Sequence, residues 1–238
     1  MLDWRTTEKI GHVAYVSNLP QGPGMKSAGS FIREVTDAFI QSCVKFHDKM
    51  GRLPFIYRER QIQSTLLPAM HSVADVVMVE LPITRRDNDG EHQGRLDYVV
   101  LYSDFIFLIE LKFSWISATL RQLRDETTQG WSKAWRKQLA SIYASEVTKY
   151  GGDPEKALKL GMLVAPCYQV TKDENKLESP NLIKASTMLG MFTENLNPLP
   201  NFSCIWALDE NLQTTHYYAH GRKERYPYLA IVTRVEKL

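Results

Sequence analysis

The sequence predicts an α/β protein in which a sheet is flanked by helices, and three observations carry that prediction. Apolar residues recur at helical spacing over 31–50; three strand-like runs follow between 74 and 113; a long helical stretch then leads to a buried strand at 158–168. A meander followed by a helical crossover is how a mixed sheet acquires helices on its faces. The length of 238 residues suits one domain with additions, and 44% hydrophobic with 24% charged residues is ordinary for a globular chain.

Residues 1–30 read as a loop-rich lead-in, because "SNLPQGPGMKSAGS" (17–30) is dense in Gly, Pro and Ser. Met25 stands where a phosphate-binding P-loop needs Gly before Lys26–Ser27, so the stretch reads as a loop ending in a helix cap at Ser30. Phe31, Ile32, Val35, Phe39, Ile40, Cys43 and Val44 then mark a helix that ends at Gly51. A second helix is predicted over Tyr57–Met70, ended or kinked by Pro68. The strand runs are "ADVVMVELPI" (74–83), "GRLDYVVLY" (94–102) and "DFIFLIELKF" (104–113). The first two are joined by the polar "TRRDNDGEHQG", the last two by a hairpin at "YSD". Ser117–Tyr150 reads as helical with a break near Gly130, "LIKASTMLGMF" as another helix, and "FSCIWAL", "TTHYYAH" and "YLAIVTRV" as closing strands.

Charge and composition narrow the function. A formal net charge of +2 is not the footprint of a tight, non-specific nucleic-acid binder, although a local basic cleft fits within such a total. Apolar runs stop short of a membrane span, and the N-terminal stretch lacks the layout of a signal peptide. Three scattered cysteines, Cys43, Cys167 and Cys204, suggest reduced core thiols and a cytoplasmic setting.

Within the most apolar segment stand Asp97, Glu110 and Lys112. Strand alternation puts Glu110 and Lys112 on one face of the third run, and Asp97 on a face with Val99 and Leu101 of the second. If the hairpin brings them together, two carboxylates repel unless they share a proton or a cation. Oxygen ligands favour Mg²⁺ or Mn²⁺, and a neighbouring lysine suits the orientation of an attacking water. Metal-assisted phosphodiester hydrolysis is the chemistry such parts suit.

The pattern Asp97, then Glu110-Leu111-Lys112 thirteen residues on, resembles the D…(D/E)xK signature of the PD-(D/E)XK nuclease superfamily. The resemblance covers about residues 57–145. It implies a restriction-endonuclease-like core, about 57–168, with an added N-terminal helix and C-terminal strands, all in a single domain. It implies Asp97 and Glu110 as metal ligands, Glu59 of "YRERQIQ" completing the shell with Glu34 as the alternative, and Lys112 activating water. Gln138 is similar to a glutamine found on the helix after ExK in several branches. Leu96 stands where proline is usual, and Tyr143 lies five residues after Gln138 instead of four. The activity implied by the resemblance is that of a Mg²⁺- or Mn²⁺-dependent nuclease acting on DNA in preference to RNA, in defence, mobile-element or repair settings. A catalytically silent binding module on the same fold is the alternative, and a homodimer or a partner protein stays open.

Arg85, Arg86, Arg121 and Arg124 flank these residues and are the favoured phosphate contacts; Arg222, Lys223 and Arg225 read first as a turn. His216 and His220 share a strand but have no third ligand at zinc spacing, and no Ser or Cys nucleophile motif is present.

Overall fold

The computed structural model describes residues 3–7, 10–57, 59–87, 90–170 and 184–238. In chain order the elements are β1 (Asp3–Thr7), β2 (Gly11–Ser17), α1 (Met25–Met50), α2 (Glu59–Val73), β3 (Val76–Asp87), β4 (Gly90–Tyr102), β5 (Phe105–Phe113), β6 (Ile116–Ser117), α3 (Asp125–Lys133), α4 (Ala144–Lys149), β7 (Ala157–Val170), α5 (Ala185–Asn195), β8 (Phe202–Leu208), β9 (His216–Tyr217) and β10 (Lys223–Lys237). The strands form one sheet in the order β1-β2-β8-β10-β7-β5-β4-β3, with β6 on β7 and β9 on β10. β5 and β7 run parallel and the other neighbours along that order are antiparallel, so the sheet is mixed, as expected.

Two apolar cores lie on the two faces. One packs Phe31, Ile32, Val35 and Phe39 of α1 and Ile62, Leu66 and Met70 of α2 against Phe107, Ile109 and Leu160, with the Phe31 and Phe107 rings stacked at 4.9 Å. The other packs Trp131, Trp135, Leu139, Met188 and Phe192 against Leu108, Leu163, Ala165 and Val232. β7 is buried along nearly its whole length, as a central strand covered on both sides requires. Cys43, Cys167 and Cys204 are free and buried, and burial pushes each thiol above its usual range. No described helix is long and apolar enough to cross a membrane.

Several sequence expectations shift. The 1–30 lead-in contains β1 and β2, and α1 begins at Met25 after Gly24 in the left-handed region (φ 78°), so Ser30 lies inside the helix and caps nothing. Gly24 is required there, since a Cβ would sit 2.7 Å from the Phe105 ring. Pro68 does not end α2, which runs to Val73: burial of Leu66, Ala69 and Met70 outweighs the lost backbone bond. The polar connection at 84–94 is largely strand, because β3 and β4 stay paired out to Asp87 and Gly90. Gly130 does not break the 117–150 region. α3 passes directly into a π-helical turn at 134–139, and the helix is interrupted at 140–143 before α4. The strand expected at "TTHYYAH" shortens to β9, and the "YLAIVTRV" strand lengthens to fifteen residues. The predicted hairpin at "YSD" is present, with Ser103 and Asp104 both at positive φ (47° and 65°), a two-residue turn that matches strand twist.

Candidate functional site

The centre of the site is an irregularity shared by two ladders. β4 pairs with β5 only from Tyr98 to Tyr102, and the β3–β4 register passes over Glu80 and Asp97, with Glu80 at φ 53°. Across this point the buried side chains change faces. Tyr98 and Val100 belong to the core under α1 and α2, whereas Leu96 belongs to the opposite core. Simple alternation fails there, and Asp97 is not fixed to the face of Val99. Its Oδ2 instead accepts from the Leu111 N–H at 2.7 Å, so the carboxylate stands in for a β4 backbone carbonyl as the acceptor for β5.

That bond brings Asp97 to the strand carrying Glu110 and Lys112. Lys112 Nζ donates to Glu110 Oε2 at 3.4 Å and to the Leu111 carbonyl at 3.0 Å. Glu110 is fully buried, beside Gly161 of β7 in register. Burial first and the nearby Asp97 second push its carboxyl up to about 6, against the pull of Lys112 and Arg85. Glu59 opens α2 and is exposed, yet partial desolvation, and after it Asp97, raises its carboxyl above the usual range while Lys112 opposes. Asp97 and Lys112 therefore act on both glutamates, with Glu110 on the side of the π-helical turn and Glu59 on the side of α2. Glu34 is elsewhere, accepting from Tyr102 Oη at 2.9 Å near the far end of β4.

Arg85 takes a role that its place in a polar, turn-rich stretch did not suggest. Only 5% exposed, it forms an ion pair with Glu110 Oε1 and donates to the carbonyls of Arg95 (2.7 Å) and Gln138. It is spent inside the protein and presents no free guanidinium to a phosphate, which corrects its assignment as a nucleic-acid contact. Two glycines make the arrangement fit. A Cβ on Gly94 would lie 2.6 Å from Arg85 Nε, and one on Gly161 would overlap the Trp135 indole, 2.7 Å from Cε2. The signal for Arg85 was thus present as the Gly94 two residues before Leu96, a side-chain gap on the facing strand.

Gln138 lies in the π-helical turn, a feature frequent at functional sites. Its carbonyl receives Arg85 and Ser141 Oγ, and its buried Oε1 has no hydrogen-bond partner among the described residues. Tyr98 Oη is likewise buried without such a partner, and burial, then Asp97, Glu59 and Glu80, hold its hydroxyl well above the ordinary tyrosine range. Sequence gives no sign that either atom is orphaned, and Tyr98 carries no signal beyond adjacency to Asp97.

The flanking arginines divide. Arg86 is exposed, paired with Glu91 at 2.7 Å and placed over the Tyr143 ring. Arg121 is exposed; Arg124 is exposed but hydrogen-bonded to Tyr168 Oη and lies over that ring. His216 is buried among Tyr57, Tyr218 and Tyr226, and the His220 side chain lies outside the described residues.

The donor set of Asp97, Glu110 and Glu59 is chemically that of a hard divalent cation, and burial first, with the Asp97 charge second, raises both glutamates. As the side chains stand, no three described His, Cys, Asp or Glu groups form one metal-holding cluster, and the two Glu110 oxygens are paired with Arg85 and Lys112.

No protein-family model matches the chain, and no curated protein matches it either.

Proposed function

We propose that this chain is a metal-dependent nuclease with a restriction-endonuclease-like core, hydrolysing phosphodiester bonds in DNA in preference to RNA. One observation carries the reading: where the β4–β5 ladder opens, the Asp97 carboxylate of β4 accepts from the N–H of Leu111, the residue between Glu110 and Lys112 on β5. A purely structural salt bridge on a regular sheet face would need neither the interrupted ladder nor the buried Glu110.

Asp97, Glu110 and Glu59 would hold the Mg²⁺ or Mn²⁺ ion, which supplies charge neutralisation at the phosphate and a more acidic water. Lys112 is tethered by Glu110 and the Leu111 carbonyl, leaving donor capacity on its ammonium for a phosphate oxygen or the attacking water. Leu111 N–H fixes the Asp97 carboxylate, and Gln138 Oε1 is an acceptor in reserve for Lys112 or that water. Arg85 keeps Glu110 ionised inside the protein.

The Arg85–Glu110 pair also favours a second reading, a catalytically silent nucleic-acid- or protein-binding module in which that ion pair is permanent. A titration with Mg²⁺, Mn²⁺ and Ca²⁺ on supercoiled, linear and single-stranded DNA, run beside Asp97→Ala, separates the two. The nuclease reading expects cutting with Mg²⁺ or Mn²⁺, binding without turnover in Ca²⁺, and no cutting by Asp97→Ala. A wild type that binds DNA and cuts with none of these ions establishes the silent module.

A further inference from the structure

A second cluster of chemistry lies past the end of β5. Trp115, Arg124, Tyr168, Tyr218, Arg222 and Glu224 line a cavity of about 270 Å³. The guanidinium carbons of Arg124 and Arg222 lie over the same Tyr168 ring, 5.6 and 5.3 Å from its centroid. Arg222 is half-exposed and paired with the buried Glu224, which also accepts from Tyr226 Oη at 2.8 Å. Tyr218 Oη is shared between Tyr226 Oη (2.7 Å) and the Ile56 carbonyl (3.3 Å). Trp115 Nε1 is buried and has no hydrogen-bond partner among the described residues. A buried indole N–H left without an acceptor is unfavourable, and the Trp115 ring forms part of the cavity wall.

Two chain paths tie this cavity to the candidate site. Trp115 follows Lys112 by three residues, and Ile56, which anchors Tyr218, precedes Glu59 by three. Three residues span at most about 11 Å, so the Trp115 Cα lies within that reach of Lys112, and Ile56 lies within it of Glu59. It offers three aromatic rings, two arginines and an indole N–H, the kit that binds an unstacked base and its phosphate. With Glu224 offsetting one arginine, the net positive charge is small, which suits a single nucleotide better than a duplex backbone.

We infer that the Trp115–Tyr168–Arg222 cavity is a binding site for one unpaired nucleotide, next to the scissile phosphate, that directs the chain to DNA with a single-stranded end or flap. This inference rests on the nuclease reading above. The base stacks on the aromatic wall, an acceptor on it or its sugar takes the Trp115 N–H, and Arg124 and Arg222 take the phosphate.

The test uses fluorescein-labelled duplexes, blunt or carrying a short oligothymidine overhang, in fluorescence anisotropy with chelator present so that nothing is cut. Wild type should prefer the overhang; Trp115→Leu, and separately Arg222→Gln, should lose about tenfold in affinity for it. Arg124→Gln/Arg222→Gln should flatten the salt dependence by about one counterion, since both arginines meet one phosphate. Thermal melts exclude variants that fail to fold, and Trp115→Phe, which keeps the stacking and lacks the N–H, should lose less than Trp115→Leu. Equal wild-type affinity for blunt and overhanging duplex, or folded variants that bind as wild type does, overturns the inference. Cutting in Mg²⁺ or Mn²⁺ is scored separately: a wild type that cuts without overhang preference sinks the cavity and keeps the nuclease. One that prefers overhangs through Trp115 but never cuts keeps the cavity and sinks the nuclease.

Discussion

Replacing Arg85 with Met keeps an unbranched side chain above Gly94 and removes the guanidinium from Glu110, Arg95 and Gln138. Glu110 is fully buried, so the substitution strands a carboxylate. Removing one partner of a buried pair costs about 3–5 kcal/mol, and Lys112, 3.4 Å from the other Glu110 oxygen, keeps the loss near the lower figure. For a chain of this size, about 3 kcal/mol lowers Tm by about 6–12 °C. The loss depends on pH, and its sign comes from linkage. Glu110 has a folded-state pKa raised to about 6, so between its ordinary range and that value the folded protein holds a proton that the unfolded chain releases. Its contribution to stability is therefore full below that window and declines as pH rises through it. Without Arg85 the folded pKa moves further up and the decline extends to higher pH.

The melting difference between wild type and Arg85→Met should accordingly be large at pH 8. It should be smaller at pH 5, where Glu110 is mostly protonated and the loss is confined to the guanidinium's hydrogen bonds to neutral acceptors, chiefly the Arg95 and Gln138 carbonyls. Adding Glu110→Gln should restore most of the loss at pH 8, giving a coupling energy well outside additivity. The assay is thermal melting by circular dichroism across that pH range for the two single variants and the double. A drop equal at both pH values, or additive single effects, would refute the picture of Arg85 as the counter-ion of Glu110.

Lys112→Met should fold and bind DNA but cut about 10²–10³ times more slowly, since it removes a charge that acts mainly in the transition state; wild-type rates in a nicking assay would make Lys112 an ordinary surface lysine. Asp97→Asn keeps an acceptor for the Leu111 N–H and removes the charge that, after burial, adds most to the rise of Glu110 and Glu59, so carboxyl-carbon NMR should show the Glu110 midpoint falling below about 6; an unchanged midpoint would mean that Asp97 is not electrostatically coupled to it. Gly161→Ala drives a methyl into the Trp135 indole from a central strand that has no room to move, and overpacking of this kind costs about 1–3 kcal/mol, read by urea unfolding.

Much of the fold was legible because its elements carry strong periods. The α1 stripe, the "YSD" hairpin and the unbroken apolar run of β7 each announce themselves through spacing or turn chemistry. β1 and β2 were missed because the Gly/Pro-rich 17–30 stretch drew the whole terminus into a loop, although "HVAYV" in β2 is a strand pattern. Pro68 and Gly130 misled in the same way: both are local breakers, and tertiary burial on either side overrode them. The pairing of Asp97 with the ExK strand was legible from the hairpin. Its means was not, since strand alternation carries no sign of the interrupted ladder at Glu80 and Asp97.

Arg85 is where sequence and structure part most instructively. An arginine in a polar, turn-rich stretch reads as solvent-facing, and in that position it reads as a phosphate contact. Because β3 and β4 remain paired through the stretch, Arg85 is carried inward over Gly94 and meets a carboxylate that the apolar segment cannot solvate. While it is ionised, the buried Glu110 needs a positive partner. Arg85 supplies it in this arrangement, and a divalent cation at the Asp97 side would supply it in another. The two partners compete for one carboxylate, so Arg85→Met should weaken the protein alone and narrow its stability gap from wild type when Mn²⁺ is added. A gap that Mn²⁺ leaves unchanged would mean that Glu110 never exchanges Arg85 for the ion, and the silent-module reading would take over.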